Sequence, residues 1–339
     1  MNVKSRIRIA AAVGAAALGL SLFASPASAD PIPSTDYRQL VGVGSDTTQD
    51  VGNGLGLAIA DPNNSPSTKL IASYDATGSS PIKTRAVNCS IPRPNGSSAG
   101  IDALRADLAA PAGSTTKNCI DFARSSRTPA DTTTSTKLTW IPFAKDAVTV
   151  VVRSGSPLNT TVGFTTQQLH DIYTCTKTTH NGVALKPLLP QLNSGTRTFF
   201  LGKINVTEAQ VGTCVNGTVQ EHDGTALTDN GNIAPYSIAQ YIAQTGGVVT
   251  DRHGVTVLLK VDGIEPRVGG NLNVAFPYNR DVYNVVPTAK LTGGATPDAD
   301  LISAFETNTS KVCAQTGVIT DYGFGTIANC GNVTLKGER

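Results

Sequence analysis

The sequence predicts an α/β fold with two lobes. Short apolar runs alternate along the chain with turns rich in Gly, Ser and Thr and with stretches of helical spacing, which is the pattern of βα units and a mainly parallel sheet. The chain has 339 residues, roughly twice the length of a usual domain. Its net charge of +2 gives no sign of a nucleic acid or a charged membrane as a partner.

Residues 1–29 have the pattern of a secretory signal peptide. A start with three Lys or Arg residues precedes an apolar stretch over residues 9–23, and Ala-Ser-Ala supplies a small-x-small cleavage site ending at Ala29. No cysteine lies near this site, so we expect no lipid anchor. No later segment is apolar enough to span a membrane. We therefore expect a secreted, extracellular protein.

Six cysteines follow the signal peptide, so an oxidising compartment and disulfides are expected. Six cysteines allow 15 pairings, and we predict the sequential one, in which each bond closes a local loop. No cysteine or histidine pair has the spacing of zinc ligands, and no metal or cofactor is predicted. The predicted pairs are Cys89–Cys119, Cys175–Cys214 and Cys313–Cys330.

The first part of the chain predicts three strands and two helices. Each strand is a short, mostly apolar run, and each helix follows a polar turn and carries apolar residues at helical spacing. The strands are residues 40–43, 70–74 and 120–123, and the helices are residues 49–60 and 101–108.

The middle and end of the chain continue this alternation. A β-branched region with the only Trp, Trp140, predicts strands over residues 139–143 and 147–152. Thr165 and Thr166 are plausible N-caps for a helix over residues 164–173. The remaining elements are a strand at 187–192, a helix at 197–203, a helix-and-strand region at 233–242 and 255–261, a strand at 282–286 and a helix at 298–305.

Four predicted loops share one design, in which a strand ends, a short run rich in Gly, Ser or Thr follows, and a helix begins. A helix N-terminus has unpaired backbone N–H groups and about half a positive charge, so it favours anions. In an open α/β sheet such loops gather at the carboxyl ends of the strands, where ligands bind. The four loops are residues 45–48, 96–100, 125–127 and 194–197.

Any one of these loops is ordinarily a plain N-cap, but four of them, two with an Arg, favour a shared anion site. The hydroxyls add donors, Gly allows close approach of the backbone, and Arg offers a bidentate fork. No catalytic residue is predicted. The predicted ligand-binding residues are Ser45, Asp46, Thr47, Ser97, Ser98, Ser126, Arg127, Ser194, Gly195, Thr196 and Arg197.

These segments resemble, in their order and composition, the substrate-binding proteins of bacterial phosphate ABC transporters, within the type II periplasmic-binding-protein superfamily. That family has a GSxT loop, a GSSxGI-like turn, a strand ending in Ser-Arg or Ser-Asp, an SGTR turn and a late Pro-x-x-Arg-x-x-Tyr segment. The resemblance covers most of residues 40–290. The matching segments are residues 44–47, 96–101, 121–127, 194–199 and 277–283.

The resemblance implies a non-enzymatic, two-lobe binding protein with mainly parallel sheets and a two-strand hinge. It implies phosphate as the captured oxyanion and a permease of an ABC transporter as partner. Two positions depart from the family. Some members have an Arg and an Asp before the SGT turn, where this chain has Gln191 and Asn193, so Arg197 would supply the charge. Some have an Asp that accepts from protonated phosphate, where this chain has Arg127.

Lobe 1 is predicted over residues 36–138 and 275–339, and lobe 2 over residues 145–265. The hinge is predicted near residues 139–146 and 263–277. Closure of the lobes would exclude water and strengthen each charged hydrogen bond to the anion. We expect a monomer that holds and releases its ligand unchanged.

Two other functions are compatible with the sequence. Residues 96–100 fit the GxSxG pattern of serine hydrolases, with Ser98 as nucleophile and with Asp223 and His253 in a permissible order. Two prolines precede this turn, however, where the hydrolase fold needs a strand. A non-catalytic surface or glycan-binding module is the second alternative, although aromatic residues make up only 5% of the chain.

Overall fold

A computed structural model describes residues 30–31, 35–63 and 68–339. The signal peptide lies outside these residues, and its cleavage site stays a prediction. Within the described residues, no helix has the length and apolar character needed to cross a membrane.

The strands lie close to the runs that the sequence predicts, and several short hairpin strands are added. They are β1 (Leu40–Gly44), β2 (Ile71–Ser73), β3 (Ile82–Lys83), β4 (Ser90–Ile91), β5 (Phe122–Ser125), β6 (Leu138–Arg153), β7 (Thr179–His180), β8 (Val183–Ala184), β9 (Lys186–Pro190), β10 (Asn216–Val219), β11 (Asn232–Ser237), β12 (Thr256–Leu258), β13 (Arg267–Val268), β14 (Asn271–Leu272), β15 (Asn279–Pro287) and β16 (Lys336–Gly337).

The helices begin where small or hydroxyl residues follow a strand, as N-cap chemistry requires. The sequence prediction missed the last of them. They are α1 (Gln49–Ala58), α2 (Ser97–Ala109), α3 (Thr166–Tyr173), α4 (Gly195–Lys203), α5 (Ile238–Thr245), α6 (Ala299–Phe305) and α7 (Thr316–Asp321).

One 10-stranded sheet runs through the molecule in the order β10-β9-β11-β6-β15-β5-β1-β2, with β12 and β16 paired to β6. Its two ends are parallel, at β1 with β2 and β5 and at β9 with β10 and β11. Its middle is antiparallel, where β6 pairs with β15 and β11. The predicted mainly parallel α/β fold with two connecting strands is confirmed, since β6 and β15 join the two parallel ends.

The two strands predicted over residues 139–152 are one continuous strand, β6. Pro142 lies inside it and lacks an N–H for the ladder, and the register with β15 shifts between Val282 and Tyr283, opposite this proline. The sequence predicted a gap at residues 144–146, whereas the strand continues through them and accommodates Pro142 as a local irregularity.

Separate apolar cores lie at the two ends of the sheet. One packs α3 and α4 against β6, β9 and β11, with Leu169, Phe200 and Ile233 fully buried. On the other end, α1 and α2 cover opposite faces of β1, with Val51 and Ile101 fully buried. Each end has the core that an independent lobe needs, which accounts for the two-lobe architecture.

The three predicted disulfides are confirmed. Cys89–Cys119, Cys175–Cys214 and Cys313–Cys330 have sequence separations of 30, 39 and 17 residues. Loops of this length correspond to about 3–4 kcal/mol each in the chain-entropy account of disulfide stabilisation. Each bond closes a local loop within one end of the sheet.

Two element predictions are wrong. Residues 233–237, predicted as part of a helix over residues 233–242, belong to the strand β11, and the helix α5 begins only at Ile238. The loop at residues 125–127 follows β5 but starts no helix, because the chain continues through bends and turns until β6 begins at Leu138. The Pro at position 129 and the run of hydroxyl residues after it favour bends over a helix. The N–H groups of this loop therefore lack a helix dipole behind them.

Asp75, just after β2, provides a test of this fold. Burial raises the pKa of its carboxyl to about 7, despite the hydrogen bond that it accepts from Asn53 Nδ2 at 2.8 Å. The native state then holds a proton that the unfolded chain releases above its ordinary pKa of 3.8. The bound proton therefore favours the native state at low pH, and this contribution to the free energy of unfolding is lost as the pH rises towards 7.

We predict that Asp75→Asn removes this loss. The variant and the wild type should differ little in unfolding free energy near pH 4, and the variant should gain by up to roughly 1.4 kcal/mol per pH unit towards pH 7. Denaturant unfolding at several pH values measures the difference. A constant difference across this range would contradict the assignment.

Candidate functional site

Three of the predicted loops lie at strand ends that feed helix N-termini, namely β1 into α1, the β4 region into α2, and β9 into α4. The fourth follows β5. All eleven predicted ligand-binding residues except Gly195 are polar, and every one is buried. Burying so many polar groups is costly unless they are paired with one another or with a ligand.

The structure brings most of these loops together. Thr47 Oγ1 lies 3.1 Å from Thr196 Oγ1. Ser97 Oγ lies 3.3 Å from Ser126 Oγ and accepts from the Ser126 N–H at 3.0 Å. We call this buried group of four hydroxyls, together with Gly195, the cradle. It lies where α1, α2 and α4 begin, so three helix dipoles converge on it.

Two glycines allow the loops to approach so closely. A Cβ on Gly195 would lie 2.2 Å from Ser97 Oγ and 2.4 Å from Ser126 Oγ. A Cβ on Gly96 would lie 2.5 Å from the Asn193 carbonyl oxygen, and its φ of 107° is one that other residues rarely adopt. Both positions therefore require glycine for backbones from the two lobes to meet.

Arg280, on β15, supplies the cation of the cradle. Its Nη2 donates to Thr196 Oγ1 at 3.0 Å and to Thr47 Oγ1 at 3.3 Å. The same guanidinium forms an ion pair with Asp146 on β6, with Nη2 to Oδ2 at 2.8 Å. The sequence analysis placed Arg280 in a family motif but did not include it in the site.

Arg197 has other partners. Its Nε and Nη2 donate to the Glu208 carboxylate at 2.7–3.1 Å, and its Nη1 donates to the carbonyls of Pro190 and Gly217. All of its guanidinium nitrogens thus bond to groups outside the cradle. Arg197 was predicted to supply the charge of the site, but the arginine that contacts the cradle hydroxyls is Arg280.

Arg127 contacts the site indirectly. Its Nη2 donates to Ser98 Oγ at 2.9 Å, and its Nη1 donates to the Thr128 carbonyl. Its Nε is buried with no hydrogen-bond partner among the described residues. Ser98 and Arg127 therefore form a pair next to the cradle, with donor capacity to spare.

Glu221 and His222 lie outside the predicted site, yet both contact the Thr47 hydroxyl of the cradle. Both are fully or almost fully buried. Thr47 Oγ1 donates to Glu221 Oε2 at 3.0 Å, and His222 Nε2 lies 3.1 Å from the same oxygen. His222 Nδ1 accepts from the Ser237 N–H, so the ring proton belongs on Nε2, which donates towards Glu221 and Thr47.

The ionisation of the two buried acids follows from these contacts. Burial alone would raise the pKa of Glu221, but the hydrogen bond from His222 and the nearby Arg280 charge outweigh it and hold that pKa low. Burial raises the pKa of Asp46, and the Glu221 carboxylate raises it further. Asp46 Oδ2 also accepts from Gln220 Nε2 at 2.5 Å. Two carboxyl groups thus lie next to the cradle: Glu221, which is held ionised, and Asp46, whose ionisation is disfavoured.

Several polar atoms around the cradle are buried without a partner in the described part of the chain. They include two hydroxyls from the loop between β1 and α1, one guanidinium nitrogen from β15 and one carboxylate oxygen, which can only accept. Such groups are costly to leave unpaired, and a bound polar ligand would satisfy them. The atoms are Ser45 Oγ, Thr48 Oγ1, Arg280 Nη1 and Glu221 Oε1.

The serine hydrolase alternative is not supported. Ser98 is the second residue of α2, and its hydroxyl contacts Arg127 rather than a histidine. Asp223 caps a short 3₁₀ turn by accepting from Thr225, and His253 pairs with Asp251. The three residues of the proposed triad therefore have separate partners.

Comparison with known proteins gives one family and a set of similar folds. Residues 33–323 match the model of a family described as a PBP superfamily domain. A Clostridium perfringens structure with bound phosphate, assigned to phosphate ABC transporter substrate-binding proteins, has 15% identity and a TM-score of 0.58, covering 85% of this chain and 99% of that chain. An ABC-type phosphate transport receptor from Vibrio cholerae has 16% identity and a TM-score of 0.56, covering 85% and 100%.

No curated protein matches the chain. At such low identities the solved structures show a shared fold, and the family assignment comes from the family model, which spans most of the chain and includes both cores and the cradle. The chain belongs to the PBP superfamily, the superfamily of periplasmic binding proteins.

Proposed function

We propose that this protein captures phosphate at the cradle, between its two lobes, and releases it unchanged. The observation that carries the proposal is the convergence of three helix N-termini and the Arg280 guanidinium on one buried group of hydroxyls. These donors all favour an anion, and a water-poor site strengthens each of them. The C. perfringens neighbour, which holds phosphate, supports the choice of ligand.

Arg280 suits a binding role because it is already held in place. Its ion pair with Asp146 fixes the guanidinium plane, so binding costs little side-chain entropy. Its Nη1 is buried and has no partner among the described residues, which leaves a donor for an oxyanion. In this proposal the ligand accepts from Arg280, Ser45, Ser97, Ser126 and Thr196.

Glu221 suits the selection of a protonated oxyanion. Its carboxylate is ionised and fully buried, and Oε1 has no donor within the described chain. At neutral pH phosphate carries at least one hydroxyl proton, whereas sulfate carries none. A phosphate P–OH can donate to this oxygen, while sulfate would bring two like charges together in a buried site.

The lobes would open and close about β6 and β15, close to the predicted boundaries at residues 139–146 and 263–277. Direct contacts between the lobes, such as Ser98 N–H to the Asn193 carbonyl at 3.1 Å, correspond to a closed state. We propose secretion and delivery of phosphate to the permease of an ABC transporter as the cellular role.

The first test compares two arginines with the same conservative change. Arg280→Lys keeps a positive charge beside Asp146 but loses the forked donors, so we expect phosphate affinity to fall about 10- to 100-fold. Arg197→Lys, which alters contacts with Glu208, Pro190 and Gly217 outside the cradle, should change the affinity less than threefold. Titration calorimetry measures both, and thermal melting checks that each variant folds. An equal loss of phosphate affinity in the two variants would contradict the role of Arg280 as the arginine that binds the ligand.

The second test concerns Glu221. Wild-type protein should bind phosphate and give no measurable heat with sulfate. Glu221→Gln replaces the acceptor oxygen by an amide that can donate, so phosphate affinity should fall about tenfold and sulfate binding should become detectable. Glu208→Gln, at an exposed carboxylate that contacts Arg197, is the matched control. Tight sulfate binding by the wild type would refute this role.

A further inference from the structure

A groove of about 550 Å³ lies beside the cradle, where the two lobes meet the connecting strand β15. Its walls come from the loop after β5, from α4 and from β15. We call it the hinge groove. Its volume is typical of sites for small organic ligands and is far more than a single tetrahedral anion needs. The residues that matter for its chemistry are Arg127, Phe199, Lys203, Arg280, Asp281 and Tyr283.

The hinge groove is cationic. Arg127, Lys203 and Arg280 line it from the two lobes and from the connecting strand. Asp281 is the one acid among its described lining residues, and that carboxylate is paired with Lys145 and accepts from Asn329 Nδ2. Arg280 is balanced by Asp146, outside the groove lining, so Arg127 and Lys203 are the lining cations with no ion-pair partner among the described residues.

Two of these cations have donors in reserve. Arg127 and Arg280 are only 6% and 5% exposed, yet Arg127 Nε and Arg280 Nη1 are buried with no partner in the described chain. Buried guanidinium N–H groups are costly to leave unpaired. Arg280 also connects the two sites, because its Nη2 contacts the cradle hydroxyls while the residue lines the groove.

Cations lie close to the aromatic residues of the groove. The Phe199 ring faces two of them, with Arg280 Cζ at 5.1 Å and Lys203 Nζ at 5.3 Å from its centroid. Tyr283 is only 5% exposed. The charges at the groove therefore suit a ligand with a negatively charged group.

We propose that the hinge groove is a second anionic subsite, which holds the carboxylate-bearing part of a small phosphate monoester whose phosphate lies in the cradle. The proposal rests on phosphate capture by the cradle. The phosphate is assigned to the cradle because three helix N-termini point at it. The carboxylate is assigned to the groove, where the positive charge comes from side chains. One ligand with both groups would bring its phosphate to the Arg280 guanidinium and its carboxylate to Arg127 and Lys203.

The experiment compares three ligands by titration calorimetry on the mature protein: inorganic phosphate, glycerol 3-phosphate and 3-phosphoglycerate. The two esters are similar in size, and only 3-phosphoglycerate has a carboxylate. We expect 3-phosphoglycerate to bind at least tenfold more tightly than glycerol 3-phosphate. Lys203→Met, which keeps the aliphatic stem, should reduce this ratio about fivefold and leave the affinity for phosphate unchanged.

Lys260→Met, at a partly exposed lysine paired with Glu265, is the matched control and should leave all three affinities unchanged. A thermal melt checks that Lys203→Met folds, and Lys203→Gln repeats the loss of charge with a polar side chain. Equal affinity for the two esters, or an equal loss for both in Lys203→Met, would overturn the hinge groove as a carboxylate subsite. Absence of binding by phosphate itself would instead overturn the function proposed for the cradle.

Discussion

The buried ion pair between Arg280 and Asp146 is the interaction on which the site depends. The two residues face each other across the only two long strands, β15 and β6, and both side chains are almost completely excluded from water. Removing two charges from water costs several kcal/mol per ion unless other groups compensate. Here the Ser237 hydroxyl and the Ala239 N–H donate to Asp146 as well. One pair therefore connects the hinge, the start of α5 and the cradle.

The charges around the cradle form an alternating arrangement. Arg280 lies between Asp146 and the Thr47–Thr196 hydroxyls, and Glu221 lies on the other side of Thr47 beside His222. A cleft filled with cations alone would hold any anion. In the proposed function, the buried Glu221 carboxylate makes the cleft discriminating, because an incoming anion must bring a proton to meet it. Affinity would then depend on fixed dipoles, and selectivity on a like charge.

Local chemistry made the fold and half of the site predictable. The helices that begin at residues 49, 97 and 195 were predicted to begin at residues 49, 101 and 197, from small and hydroxyl residues after apolar runs, and the disulfides were predicted from their local loops. Arg280 and Glu221 were not predictable in this way, since they reach the cradle through strand register and through a loop far away in sequence. Arg197 belongs to the turn itself, yet Glu208, eleven positions later, takes its guanidinium. Arg197 and Arg280 have the same chemistry, and only the three-dimensional arrangement shows which of them contacts the cradle.

The disulfides have a consequence for motion. Cys89–Cys119 and Cys313–Cys330 tie together segments at the β1 end of the sheet, and Cys175–Cys214 ties together segments at the β9 end. None of the three bonds spans the cleft. In the proposed motion the disulfides stiffen each half separately, and the contacts across the cleft are non-covalent, such as the Ser98–Asn193 hydrogen bond and the Arg252–Asp46 ion pair. The disulfides would therefore rigidify each half without locking the ligand in or out.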